Sequence, residues 1–224
     1  MNLKSLEPRL QTVLEWIPLG NHADIGADHA YLLGNLLDQN RILKGIAIEK
    51  NREPFELACK NLEKFGDRAE ARLGDGLAPL QVGEVNSISI CGMGAALMAK
   101  ILTAHPEKVP EHVVVQPNDS AEPVRRWALQ TGFHVKQETI TVGFWHYPVL
   151  HFQRQAGPDP AYTDLPLDVA LRFGPWPLKN QNPLLYTHLL EQEKRLRNLA
   201  HLPNPRLQED IQKVQRALEC FNVN

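Results

Sequence analysis

Five polar side chains stand where β-prone runs give way to turns: Asp24 and Asp28 around the first turn, Glu49 at the end of the second run, Asp75 after the third and Asn118 after the fifth. Carboxylates in such places hold cations or accept hydrogen bonds from hydroxyls and amines, and an amide offers both a donor and an acceptor. In Asp24-Ile25-Gly26-Ala27-Asp28-His29-Ala30-Tyr31, one glycine and an Asp-His pair separate a short strand from a helical pattern carrying Leu32, Leu33, Leu36 and Leu37. At a junction of this kind a strand ends in the crevice of an α/β sheet and the following helix presents unpaired N–H groups, so ligands settle there.

Glu49 stands where both hydroxyls of a ribose can be bound, as nucleotide-type ligands require; a solvated carboxylate opening a loop is the plain alternative. A dinucleotide needs glycines spaced G-x-G-x-x-G so that backbone can approach its pyrophosphate. Here Gly26 stands alone, and Asp28 puts negative charge where the pyrophosphate would lie. S-adenosylmethionine has no phosphate and carries a sulfonium and an ammonium group, so the pairing of Asp24 with Asp28 favours it by charge.

The later strand ends add to this pocket. In Gly74-Asp75-Gly76-Leu77, Asp75 can accept from an adenine amino group while Gly76 lets backbone approach the ring, and a simple turn competes with that reading. Cys91-Gly92-Met93-Gly94 places Gly92 and Met93 at a strand-to-helix junction, where close approach to a ligand and tight helix packing are the alternatives. Gln116-Pro117-Asn118-Asp119 brings Asn118 to the same crevice, unless Asn118, Asp119 or Ser120 serves as a helix N-cap.

The elements needed to position these residues are legible as a pattern. Leu3, Leu6, Leu10, Val13, Leu14 and Ile17 mark a lead-in amphipathic helix ending near Pro18. Five β-prone runs, at 23–25, 45–48, 69–73, 87–90 and 112–116, then alternate with helices at about 29–39, 51–65, 94–104 and 120–131, which predicts a parallel sheet covered on both faces. Two adjacent runs, 132–142 and 144–154, meet at Gly143 and predict an antiparallel hairpin. The sum fits the seven-stranded methyltransferase sheet better than the six parallel strands of a dinucleotide dehydrogenase.

From Gln155 onward Pro and Gly crowd the chain, and two short heptad seams, Leu185 to Leu199 and Leu207 to Phe221, flank Pro203 and Pro205. The predicted division is residues 1–155 for an α/β domain and 156–224 for a linker and a coiled-coil-like helical hairpin. At 224 residues, with 43% hydrophobic and 22% charged residues, the chain has an ordinary globular composition, and no run is long enough to span a membrane. Met1 to Pro8 lack the apolar stretch of a signal peptide, so a cytoplasmic location is expected. Cys59, Cys91 and Cys220 are too scattered for a disulfide framework or a zinc site, and no metal is expected. With a net charge of -2, any polyanion must be met by a local patch. Arg125 and Arg126, and Lys194, Arg195 and Arg197, are the candidates, with solvated mixed-charge helix faces as the alternative; Arg9 has no assigned place.

Taken in order and spacing, Asp-Ile-Gly-Ala-Asp-His-Ala-Tyr-Leu at 24–32, Gly-Asp-Gly-Leu at 74–77, Gly-Met-Gly at 92–94, Gln-Pro-Asn at 116–118 and Phe-Gly-Pro at 173–175 resemble the bacterial tRNA (adenine-22-N1)-methyltransferase family. The chain departs from the family pattern at Leu33, Asp75 and Ala95. The resemblance implies a Rossmann-like class I methyltransferase domain using S-adenosylmethionine, an appendage that helps bind tRNA, and methyl transfer to N1 of an adenine in the D-loop region. Asp24, Gly26, Asp28, Glu49, Asp75, Gly76, Gly92 and Met93 are the expected cofactor-binding residues, and Asp28 and Asn118 the expected catalytic ones. Asp28 then either orients the base and relieves its developing charge or caps the helix near His29. Methyl transfer to another acceptor, and a non-catalytic RNA-binding relative, are the competing functions; a monomer is expected.

Overall fold

A computed structural model describes residues 6–142, 146–199, 201 and 204–221. Leu3, in the predicted lead-in helix, Gly143 and Phe144, at the hairpin turn, and Leu202 and Pro203, between the heptad seams, lie outside the described residues.

Seven strands form one sheet: β1 (Asn21–Ile25), β2 (Lys44–Glu49), β3 (Ala69–Leu73), β4 (Ser87–Met93), β5 (His112–Pro117), β6 (Phe133–Val142) and β7 (His146–Arg154), in spatial order β3-β2-β1-β4-β5-β7-β6. β1 to β5 run parallel, and β7 is antiparallel to both β5 and β6. The chain steps outward from β1 to β3 and then returns to β4 on the other side of β1. That reversal puts a topological switch point between β1 and β4, where α/β sheets open a crevice at the carboxyl ends of their strands.

Strand alternation sorts the core into two layers. Ala23, Ile25, Ile88, Ile90, Val113 and Val115 face α4 (Ala95–Ala104) and α5 (Glu122–Thr131), packing on Met98, Leu102, Val124 and Trp127. Ala47, Val114 and Val149 belong to the layer of α1 (Pro8–Trp16), α2 (Tyr31–Asp38) and α3 (Arg52–Leu62), with Val13, Leu14, Leu33, Leu36 and Leu62. Leu33 is fully buried and fills the space above Gly45, so the departure from the family pattern there is a packing choice.

Beyond β7 come α6 (Leu167–Phe173), α7 (Pro175–Lys179), α8 (Pro183–Leu199) and α9 (Pro205–Glu219). The two heptad seams meet as predicted: Leu185, Leu189 and Leu196 pack with Leu207, Ile211 and Val214 in a third cluster that also includes Val169 and Phe173 of α6. This cluster docks on the sheet side through Ile140 and Tyr162. Beside it, Arg125 of α5, 3% exposed, binds Glu138 of β6 at 2.7 Å and donates to the Leu171 and Arg172 carbonyls. Gly174 has φ +102, and a Cβ there would stand 2.8 Å from the second Glu138 oxygen, so Phe173-Gly174-Pro175 needs glycine for this junction.

Candidate active site

The turn after β1 differs from the predicted strand–turn–helix in one respect. Gly26, Asp28 and Ala30 all adopt positive φ, at +70°, 52° and 55°, so α2 starts only at Tyr31 instead of near His29. Its N-cap is Ala30, which makes no side-chain cap. The capping role considered for Asp28 is therefore absent: its carboxylate is 75% exposed at the crevice, with His29 Nε2 3.4 Å from its Oδ1. Asp is among the few residues that tolerate the left-handed region, at a cost of about 1 kcal/mol. The His29 ring stacks on Tyr31, their centroids 5.4 Å apart.

Backbone hydrogen bonds hold the turn. The Gly26 and Ala27 amides donate to the Ile48 carbonyl, and the Asp28 amide donates to Glu49 Oε1. Glu49 thus ends β2 nearly buried, tied directly to the loop that carries Asp28. Burial pushes its carboxyl up; the Asp28 N–H opposes that shift and the Asp28 charge adds to it.

Asp24 sits deeper, 4% exposed, in a polar row along β1 and β4. Ser89 Oγ donates to Asp24 Oδ1 at 2.5 Å, and His22 bridges Ser89 and Ser87 with its two ring nitrogens at 2.9 and 2.8 Å. Desolvation raises the Asp24 carboxyl to about 7, against the Ser89 hydrogen bond and with the Glu49 charge adding; burial lowers His22 to about 3, so its imidazole is neutral.

The remaining predicted residues fall at the same strand ends, several with partners that sequence reasoning did not supply. Asp75 pairs with Lys50 at 2.8 Å in solvent. Gly76 has φ +56, and its bare face meets Ile101. The bare face of Gly26 is covered by the Met93 methyl group, so this glycine accommodates a side chain of its own chain. Gly94 admits Asp119, whose Oδ1 accepts from the Ala95 amide at 2.7 Å and caps α4; of the capping candidates near Asn118, Ser120 Oγ accepts from the Glu122 amide at 3.4 Å at the start of α5, while Asp119 serves another helix. Asn118 itself is exposed, donates from Nδ2 to the Gly92 carbonyl at 2.7 Å and accepts from Gln116 Nε2 at 3.3 Å.

Arg9, unassigned from sequence, reaches the same mouth. Its Nη1 donates to Gln116 Oε1 and its guanidinium carbon lies 5.5 Å from the Tyr147 ring centroid. Nothing in its helical pattern distinguishes Arg9 from a surface arginine, because the contact spans 107 residues of sequence.

One predicted phosphate contact is overturned and two are engaged within their own helices. Arg125 is buried in its ion pair with Glu138, and Arg126 bonds Glu122 one turn earlier on α5. Arg197 is likewise paired with Glu193. Arg195 instead lines a cleft of about 720 Å³ that runs from Asn118 between the β6–β7 pair and α8, together with Arg172, His146, His188 and Gln192. Neither Arg172 nor Arg195 has an acidic partner among the described residues. His188 is lowered by burial first, then by the nearby His146, Arg195 and Arg172 charges, with Glu191 opposing.

The donor set at the strand ends fits S-adenosylmethionine. Its carboxylates match two cationic groups and a ribose, and the turn after β1 has no glycine-rich nest for a pyrophosphate. Residues 22–222 match the family model described as tRNA (adenine(22)-N(1))-methyltransferase. The chain belongs to this family. It is 38% identical over 189 residues to the Bacillus subtilis (strain 168) tRNA (adenine(22)-N(1))-methyltransferase, covering 81% of this chain and 79% of the relative. The crystal structure of the B. subtilis m1A22 tRNA methyltransferase superposes with a TM-score of 0.85 at 30% identity, covering 99% of this chain and 98% of that one. A Streptococcus pneumoniae protein described as a putative tRNA (m1A22) methyltransferase, solved with S-adenosyl-L-methionine, gives 0.82 at 28% identity over 96% of this chain and all of the other. For a tRNA (adenine(22)-N(1))-methyltransferase family member, Ala95 is a buried first residue of α4 and Asp75 a surface partner of Lys50, so both departures leave the crevice carboxylates in place.

Proposed function

We propose that the chain transfers a methyl group from S-adenosylmethionine to N1 of adenine 22 in the D-loop region of tRNA, as a cytoplasmic enzyme. Residues 1–155 would form the methyltransferase unit and 156–224 the appendage that engages RNA. The observation that carries this reading is the acidic crevice at the switch point: Asp24, Asp28 and Glu49 lie at the carboxyl ends of β1 and β2, Asp28 tied to Glu49 through its amide, and Asn118 ends β5 on the same edge of the sheet.

Glu49 would take the ribose, Asp24 the cationic methionine end, and the strand ends at Gly76, Gly92 and Met93 the rest of the nucleoside. When bound, the cofactor supplies an electrophilic methyl group. Adenine N1 carries a lone pair at neutral pH, so no base is needed to activate it; the N1–carbon bond forms as the sulfur–carbon bond breaks and its electron pair stays on sulfur. What the protein must provide is alignment and relief of the positive charge that appears on the ring. The exposed Asp28 carboxylate would provide that negative charge, with His29 Nε2 3.4 Å from its Oδ1. Because N1 lies on the pairing edge, the adenine must leave any helix before transfer. The cleft beside Asn118, with Arg172 and Arg195 unpaired by acids, supports a path for the flanking phosphates.

The test is incorporation of labelled methyl groups into unmodified tRNA transcripts that differ only in adenine or guanine at position 22. Incorporation confined to the adenine transcript is expected. Equal labelling of both transcripts, or of neither, contradicts the proposal.

A further inference from the structure

The hydrogen bonds running from Arg9 to Asn118 have a fixed direction. A guanidinium has donors only, so the Gln116 atom facing Arg9 Nη1 must be its oxygen. The Gln116 NH₂ group is then turned the other way, where it donates to the Pro117 carbonyl at 2.7 Å and to Asn118 Oδ1 at 3.3 Å. With its oxygen held on that side, Asn118 directs Nδ2 to the Gly92 carbonyl at 2.7 Å. Each amide is thereby assigned without ambiguity between oxygen and nitrogen: the Pro117 and Gly92 carbonyls accept only, and Arg9 adds a donor-only partner on the far side of Gln116. The Asn118 amide keeps a free lone pair on Oδ1 and one free hydrogen on Nδ2, and the residue is exposed at the crevice.

An acceptor and a donor on one planar amide match the amino group and N7 of adenine, the pairing by which Asn recognises this base. Guanine presents two acceptors on the same edge. Methylation at N1 requires the opposite, pairing edge to face the methyl donor, so recognition through the amino group and N7 leaves the reacting atom clear. We propose that Asn118 reads the N7/amino edge of the target adenine and that Arg9 and Gln116 are positioning residues that, with the Gly92 carbonyl, hold its amide in that orientation. This inference rests on the adenine-methylating function proposed above. Arg9 suits the role: its side chain is 21% exposed, Nε is engaged by Glu7 at 2.8 Å, and the guanidinium stands over the Tyr147 ring, so the donor that starts the chain is held on three sides.

The decisive substrate is a ligated tRNA with 7-deazaadenosine at position 22, which removes the N7 acceptor and keeps N1 and the amino group. With the wild-type protein, kcat/KM should fall about tenfold relative to the adenine tRNA, the scale of losing one arm of a bidentate base contact. Gln116→Glu has no N–H to offer Asn118, and Arg9→Leu removes one of the two partners, with the Pro117 carbonyl, that orient Gln116. Each loosens the Asn118 amide, which the Gly92 carbonyl still orients, so each should lower kcat/KM on adenine tRNA, bind S-adenosylmethionine as tightly as wild type, and distinguish the two tRNAs less than wild type does. Arg9→Lys, which keeps a donor, should recover most of the activity. Equal methylation of both tRNAs by the wild-type protein overturns the inference alone, and that result does not depend on any variant folding. Failure of the wild-type protein to methylate even the adenine tRNA overturns the function on which it rests.

Discussion

If Asp24 takes the cationic end of the cofactor, as proposed, its burial ties cofactor affinity to pH. Asp24 is raised by desolvation from 3.8 to about 7, while Ser89, which donates to it, and His22, which bonds Ser89, carry no charge. The folded protein therefore retains a proton on Asp24 between pH 4 and 7 that the unfolded chain has lost. Its contribution to stability is full below pH 3.8, declines by at most about 1.4 kcal/mol per unit as pH rises toward 7, and is flat above. The cation-binding form is the carboxylate, so the sign for S-adenosylmethionine is opposite: affinity should hold above pH 7 and weaken below it, approaching tenfold per unit. Calorimetric titrations from pH 6 to 8.5 check this. Asp24→Asn should bind weakly with no slope across that range, and a wild-type affinity independent of pH would contradict the assignment. At this scale the sequence is informative about residue type and uninformative about partners. Asp28 is open to a cap or a catalytic role because both need the same residue at the same turn, and only the left-handed φ of Asp28 and Ala30 removes the cap.

Among the elements, the alternating β/α pattern and the hairpin at 133–154 are readable because each buries a face whose period shows in the chain. Helix starts are less so, since α2 waits for a turn whose backbone strain leaves no compositional trace. The junction of α5, β6 and α6 is the least legible: Arg125 looks like an RNA contact in a helix bearing Trp127, yet it is the buried partner of Glu138. That pair joins the sheet to the C-terminal helices, and its loss should be felt in stability more than in chemistry. Glu138→Gln leaves the Arg125 charge uncompensated in a site where both side chains are almost fully buried. A cost of about 3 kcal/mol is expected for breaking such a pair. Thermal melts should show Tm lower by roughly 6–12 °C. A change under about 2 °C would mean that the charge escapes to solvent and that the junction is not held by this pair.

For the whole molecule, the balance of 24 basic and 26 acidic residues offers no general attraction for RNA, so tRNA must be drawn by position. The proposed position is the cleft between α8 and the sheet, lined by Arg172, Arg195 and His188 beyond Asn118. Arg172→Glu combined with Arg195→Glu should weaken tRNA binding about tenfold or more at moderate salt. The double variant should also flatten the salt dependence by about one unit of slope for each phosphate that an arginine no longer meets, while leaving S-adenosylmethionine affinity unchanged. Unaltered tRNA binding and salt slope would place the RNA elsewhere. The joint claim, that an acidic strand-end crevice aligns adenine with its pairing edge toward the methyl donor, is tested most directly by the identity of the modified nucleoside. Mass spectrometry of nucleosides from tRNA incubated with the protein and S-adenosylmethionine should give 1-methyladenosine at position 22, with Asp28→Asn reducing its rate about a hundredfold. N6-methyladenosine as the product, or undiminished 1-methyladenosine formation by Asp28→Asn, would contradict it.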